Sequence, residues 1–262
     1  MKARRNPKGF GLRAPGRKRE RNCMTEQEIE ARLRGNGIPF RPELPEKLGI
    51  YFRLLLEWNG KMDLVAEAAK EELLDRHFID SLTILKTELT AGAESLIDVG
   101  TGAGFPGMVL AMACPELRVT LLDSQQKRLS FLEEVIRRTD TLNAELLHAR
   151  AEDAARKPAL REAFDLAAAR AVAPLNVLCE YLLPFVKPGG RMLCWKGPGL
   201  AEETEAGRKA AFLLGGRLEE PVPAPVAGRD WNHMLLAAEK LKKTPGIYPR
   251  KAGTPKKQPL GL

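Results

Sequence analysis

Ten residues, Asp98-Val99-Gly100-Thr101-Gly102-Ala103-Gly104-Phe105-Pro106-Gly107, combine a carboxylate, spaced glycines and a proline. The apolar run Ser95-Leu96-Ile97 before them reads as a buried strand, and the unbroken apolar stretch Met108 to Cys114 after them as a helix. Alternating glycines let the backbone turn tightly and a ligand come close, where a Cβ would bar it. Pro106 suits the first helical turn, which has no use for its missing N–H. Gly102 to Gly107 satisfies the dinucleotide pattern G-x-G-x-x-G, a signal shared by several nucleotide folds. Asp98 separates the options, because a carboxylate at the strand's end repels a pyrophosphate and attracts an ammonium or sulfonium cation. The chemistry this favours is S-adenosylmethionine rather than NAD.

Further candidates stand where later strands end. Asp123 follows Gly102 by 21 residues and can accept hydrogen bonds from both ribose hydroxyls of a nucleoside. The competing reading is a helix cap, a role for which Ser124 stands ready before Gln125. Arg150-Ala151-Glu152-Asp153 would edge an adenine, since ligands of open α/β sheets collect at the carboxyl ends of strands; a solvated loop is the alternative for either acid. Ala169-Arg170-Ala171-Val172-Ala173-Pro174 occupies the place where many nucleic-acid methyltransferases carry a reactive motif, yet it is neither an N-P-P-Y motif nor a Pro-Cys pair. The chemistry left is transfer to an atom already nucleophilic, such as a ring nitrogen, by positioning alone. Arg170, Lys196 and His77 are the positioning candidates. His77 is the best placed of His77, His148 and His233, because Asp80 three residues later could hold its ring. Lys127, Arg128, Lys196, Arg250 and Lys251 are the candidate RNA contacts, against a reading as solvated charge.

These residues need a parallel sheet behind them. Apolar strands at Leu96–Val99, Val119–Asp123, Ala144–His148, Phe164–Ala169 and Arg191–Trp195 alternate with helices at Gly107–Ala113, Gln125–Arg138, Leu175–Phe185 and Ala201–Leu214. Two last strands, near Arg217–Pro221 and Asn232–Ala238, lack a helix between them and are expected to pair antiparallel, with Pro221–Pro225 a loop. The expected class is α/β, a Rossmann-like methyltransferase fold. Ahead of it the spacing predicts three helices: one opened by a Thr25/Glu28 capping box, one carrying Leu44, Leu48, Tyr51, Phe52, Leu55 and Trp58, and one over 70–85. The organisation expected is a disordered basic extension over 1–24, a helical region over 25–93, the sheet domain over 94–240 and a basic tail over 241–262.

Charge is unevenly placed along the 262 residues. Residues 1–24 carry +8, residues 239–262 carry +6, and the rest carries −6, against a total of +8. An acidic body with two basic arms suits a polyanionic partner, whose counterions are released on binding. No long apolar run or secretory leader is present, so a cytoplasmic protein is expected. Cys23, Cys114, Cys179 and Cys194 lack metal-ligand or disulfide spacing, which predicts free thiols and no metal.

Assembled in order, these stretches resemble one family, the bacterial 16S ribosomal RNA guanine-N7 methyltransferases once called glucose-inhibited division protein B. The resemblance rests on Leu55-Leu56-Glu57-Trp58-Asn59, His77-Phe78-Ile79-Asp80-Ser81, Asp98 to Gly107, Leu121-Leu122-Asp123-Ser124, Lys127-Arg128, Arg150-Ala151-Glu152, Ala169-Arg170-Ala171, Lys196-Gly197 and Thr244 to Arg250. It implies methyl transfer from S-adenosylmethionine to N7 of guanine 527 in the 530-loop of 16S rRNA, on the small ribosomal subunit. It also implies cofactor contacts at Gly100, Phe105, Ala151, Glu152 and Arg170. With the readings above, the expected cofactor set is Asp98, Gly100, Gly102, Phe105, Asp123, Ser124, Ala151, Glu152 and Arg170. The chain departs at Met62-Asp63-Leu64-Val65, where the family usually reads Asn-Leu-Thr, and in the extension before Thr25.

Overall fold

A computed structural model describes residues 24–262. Apart from Met24, which is buried, the extension expected to be disordered lies outside the described residues. The capping box forms: Glu28 N donates to Thr25 Oγ1 at 3.2 Å and Thr25 N to Glu28 Oε2 at 2.7 Å, starting α1 (Glu26–Gly35). Helix α2 (Leu44–Asn59) buries Leu48, Tyr51, Phe52 and Leu55 on one face.

The third helical stretch, α3 (70–82), departs from the uniform helix that its spacing predicts. It is α-helical over Lys70–Leu73, a π-helix over Leu74–Ile79 and α-helical again over Asp80–Leu82, followed by a 3-10 turn at Thr83–Lys86. The wider turn bonds Asp80 N to Asp75 O, so two carboxylates five residues apart are both buried beside Phe78 and Ile79. A pure 3.6-residue helix would swing one of them away.

The sheet contains β1 (Ser95–Val99), β2 (Arg118–Asp123), β3 (Ala144–His148), β4 (Phe164–Arg170), β5 (Val186–Lys196), β6 (Gly216–Leu218), β7 (Val222–Pro223) and β8 (Met234–Lys240). Its order is β3-β2-β1-β4-β5-β8-β6, with β7 paired to β8. The first five strands are parallel, and β8 runs antiparallel between β5 and β6. Several bounds differ from expectation: the strand expected near 217–221 is Gly216–Leu218, that near 232–238 is Met234–Lys240, and the helix expected to Phe185 ends at Leu182. Strand β5 begins at Val186, which pairs with Phe164 across a register shift. The segment expected to be only a loop after Pro221 holds β7. A short helix over Ala151–Ala154 follows β3.

Helices α4 (Gly107–Ala113), α5 (Gln126–Thr139), α6 (Ala151–Ala154), α7 (Leu175–Leu182) and α8 (Leu200–Leu213) cover the sheet. One apolar core joins the N-terminal helices to α4 and α5, and the other joins the opposite sheet face to α7 and α8. Residues 241–262 lie against the domain. Arg161 donates to the carbonyls of Thr244 and Tyr248, Arg156 to that of Pro249, and the segment ends in α9 (Thr254–Lys257). Cys179 and Cys194 are buried free thiols and Cys114 is half-buried. Among the described residues no three His, Cys, Asp or Glu side chains gather as a metal site, and no helix is long and apolar enough to cross a membrane.

Candidate active site

The glycine turn takes the left-handed conformations that its sequence predicts: Gly100, Gly102 and Gly104 have φ of 73°, 60° and 95°. Gly104 leaves room for the Tyr51 hydroxyl, which donates to Ala103 O, and for Leu132. A Cβ on Gly107 would stand 2.6 Å from that of Asp98. Pro106 is the cap residue of α4, one position before the first turn.

Asp98 departs from its expected place in the cofactor set, for it does not line the cleft. It is fully buried behind the turn, where Oδ2 accepts from Thr101 Oγ1 at 2.6 Å and from Gly107 N at 2.8 Å, while Oδ1 has no partner. Burial pushes its pKa up to about 6, against those two hydrogen bonds. Its carboxylate pins the start of α4 to the end of β1.

The other expected cofactor residues, Gly100, Gly102, Phe105, Asp123, Ser124, Ala151, Glu152 and Arg170, all line one cleft of ≈ 440 Å³ at the carboxyl ends of β1, β2 and β4. Asp123 accepts from Gly102 N at 3.0 Å and from Gln125 N at 2.8 Å, with Arg128 Nη1 at 3.5 Å. It holds the turn ahead of α5, which starts at Gln126 with Gln125 as its cap residue and no side-chain cap; Ser124, expected to cap it, is exposed. A carboxylate has about four acceptor positions, so Asp123 keeps capacity for ribose hydroxyls. Glu152 Oε1 accepts from Gly253 N at 2.8 Å, and Oε2 has no hydrogen-bond partner among the described residues.

Leu64, Val65, Gly253 and Lys256 also line the cleft and were not among the residues expected from sequence. Asn59 holds the first two, its Oδ1 accepting from Leu64 N and Val65 N at 2.8 Å each. The stretch where the chain departs from the family pattern is thus a wall of the site. Gly253 and Lys256 come from the C-terminal segment, and no local signal ties them to Glu152.

At the inner end, Phe105 stacks on Tyr51 and on His77, with ring centroids 5.5 and 5.0 Å away, and the Arg170 guanidinium lies 5.2 Å from its centroid. Arg170 Nη2 donates to His77 Nδ1 at 3.0 Å. Since arginine only donates, His77 is neutral with its proton on Nε2. Burial, with the Arg170 and Arg76 charges, holds its pKa down at about 3. Asp80 does not hold the His77 ring as its spacing suggests. Its Oδ1 bonds His233 Nδ1 at 2.8 Å and its Oδ2 bonds Arg170 Nη1 at 3.1 Å, because the π-turn directs it to the far side.

The basic candidates divide. Lys127 and Lys251 are exposed, and Arg128 lines the cleft. Lys196 is paired with Glu203 at 2.5 Å, its side chain 10% exposed. Arg250 is locked by two-pronged bonds to buried Glu180. Neither of these two is placed as a surface phosphate contact.

The cleft suits an adenosyl cofactor: glycine backbone along one side, carboxylates at Asp123 and Glu152 for hydroxyls and an amino group, and an aromatic face at Phe105. A Cβ on Gly100 would crowd it, standing 3.2 Å from Val172 Cγ2.

The family model for GidB, rRNA small subunit methyltransferase G, matches residues 45–225. A protein of Clostridium perfringens (strain SM101 / Type A) named ribosomal RNA small subunit methyltransferase G is 44% identical over 224 residues, covering 86% of this chain and 94% of its own length. A protein of the same name from Alkaliphilus metalliredigens (strain QYMF) is 46% identical over 215 residues, covering 82% and 90%. Among solved structures, cofactor-bound Rv0187 from MTB aligns with a TM-score of 0.52 at 19% identity, covering 82% of this chain and 97% of that one, which shows a shared fold.

Proposed function

We propose, from the premise that this chain belongs to the GidB family of ribosomal RNA small subunit methyltransferase G proteins, that it methylates N7 of guanine 527 in the 530-loop of 16S rRNA. It is an S-adenosylmethionine-dependent methyltransferase. Its partner is the 16S rRNA of the small ribosomal subunit, and its place of action is the cytoplasm.

The observation that carries the guanine N7 reading is the chemistry at the Phe105 end of the cleft. The groups there are a cation, Arg170, and a neutral imidazole, His77, whose Nδ1 already accepts from Arg170. Such a wall suits an acceptor that has no proton to lose. Guanine N7 carries an in-plane lone pair, so it forms the new bond to carbon without a general base. When bound, the cofactor supplies an electrophilic methyl on a cationic sulfur, which keeps the electron pair of the bond that breaks. The chain's own contribution is alignment: Phe105 and Arg170 fix one side of the site, and Asp123 and Glu152 fix the nucleoside.

The test is methyl transfer from labelled S-adenosylmethionine to naked 16S rRNA, small subunits and protein extract, with the methyl mapped by borohydride and aniline cleavage. Label at one guanine of the 530-loop is expected. Label in protein, or at another rRNA atom, would overturn the reading.

A further inference from the structure

A second cavity, of ≈ 350 Å³, opens beside the cofactor cleft and shares His77, Arg170 and Ala171 with it. Asp80, Ala173, Trp195, Lys196 and His233 are among the residues that line the rest of it. We propose that this cavity receives the acceptor guanine, flipped out of its RNA strand, and that His233 contacts the base's Watson–Crick edge. The assignment rests on the guanine N7 reading above.

Position is the first ground. Arg170 and His77 form the partition between the two cavities, so a base seated in the second presents one edge to the first. If that edge is N7, the neighbouring O6 falls on the Arg170 side. The guanidinium has donors left for it. Nη1 donates to Arg76 O at 2.8 Å and to Asp80 Oδ2 at 3.1 Å, and Nη2 donates to His77 Nδ1. Nε–H and one Nη2–H have no partner among the described residues, by the five-donor inventory of arginine. Guanine offers an acceptor beside N7 where adenine offers an amino donor, so the same guanidinium would reject adenine.

The opposite wall is built with equal definition. Asp80 is 2% exposed and uses both carboxylate oxygens and its backbone carbonyl, which accepts from Trp195 Nε1 at 3.0 Å. Its bond to His233 makes Nδ1 the donor, and in the tautomer that carries its one ring proton there Nε2 is an acceptor. N1–H and the 2-amino group of guanine are donors, which matches it.

At the rim, Trp231 stacks on His233 with centroids 5.4 Å apart, and the Arg76 and Arg229 guanidiniums lie 5.0 and 5.4 Å from its ring. An aromatic ring between arginines is a platform for an unstacked base or its neighbour. Asp75 secures this rim, accepting from Arg229 Nε at 2.8 Å and from Arg32 Nη2 at 2.6 Å.

Two substitutions and one crosslink test the assignment. His233→Asn retains a donor for Asp80 and removes the Nε2 acceptor. Ala173→Phe puts bulk into the second cavity from a residue that does not itself line the cofactor cleft. Both should bind S-adenosylmethionine within about twofold of wild type, while turnover on small-subunit RNA falls about ten- to a hundredfold for His233→Asn, as expected for one lost polar contact in a site, and at least as far for Ala173→Phe. A 16S fragment carrying 6-thioguanosine at the methylated position should crosslink to a peptide that lines the second cavity, containing Arg170, His77, Trp195 or His233. Undiminished turnover in both variants, or crosslinks confined to other peptides, would overturn the pocket assignment while wild-type methylation still maps to guanine N7. Wild-type transfer to an acceptor other than guanine would instead overturn the functional reading, and the pocket with it.

Discussion

Two carboxylates bonded to the glycine turn, Asp98 and Asp123, do different work at the residue scale. Asp123 is in the cleft, and charged hydrogen bonds are worth about 1.5–3 kcal/mol, so Asp123→Ala should weaken S-adenosylmethionine binding by about ten- to a hundredfold in a calorimetric titration. An unchanged affinity would remove it from the cofactor site. Asp98 acts on stability. Its folded pKa of about 6 exceeds the ordinary aspartate value of 3.8, so between those pH values the folded state binds more protons than the unfolded one. Stability from this group is therefore greatest in acid and falls as pH rises toward about 6, by about 3 kcal/mol in all. Asp98→Asn cannot ionise. The difference in unfolding free energy between wild type and Asp98→Asn, measured with urea across pH 4–7, should change over that window and level off above it; parallel curves would refute the assignment.

Elements, not single residues, decide which basic side chains are available. Arg250 belongs to the C-terminal segment and pairs with Glu180 of α7, whose side chain is 1% exposed. Removing one partner of such a pair leaves a buried charge, at a cost of about 3–5 kcal/mol. Arg250→Ala should lower the melting temperature and speed amide exchange at Gly253, whose N–H is held by Glu152, while the salt dependence of RNA binding stays as in wild type. A reduced salt slope with unchanged stability would restore Arg250 as a phosphate contact. The same scale explains what was and was not legible in the site. The residues beside strand ends that line the cleft could be read from the sequence, because each strand delivers its own terminus to one edge of the sheet. Gly253, Lys256 and His233 could not, because their places depend on how separate segments pack.

At the scale of the whole molecule, the acidic body and basic ends predict a salt-sensitive hold on RNA. Deleting residues 1–23, which spares buried Met24, removes nine Lys or Arg against one Glu. The slope of log K against log salt for small-subunit RNA should become shallower, with cofactor affinity unchanged, because fewer phosphates are neutralised; an unchanged slope would make the extension a bystander. By itself the sequence determined the strand–glycine turn–helix unit, the capping box at Thr25 and the alternation of strands and helices. Those are short-range consequences: side-chain period, allowed φ and cap chemistry act within a few residues. Only the tertiary structure decided that Asp98 stands behind the turn, that Asp80 serves His233 across 153 positions, and that Glu152 meets Gly253 across 101. Such pairs depend on the π-turn in α3 and on the packing of the C-terminal segment, and neither partner carries a local mark of the other.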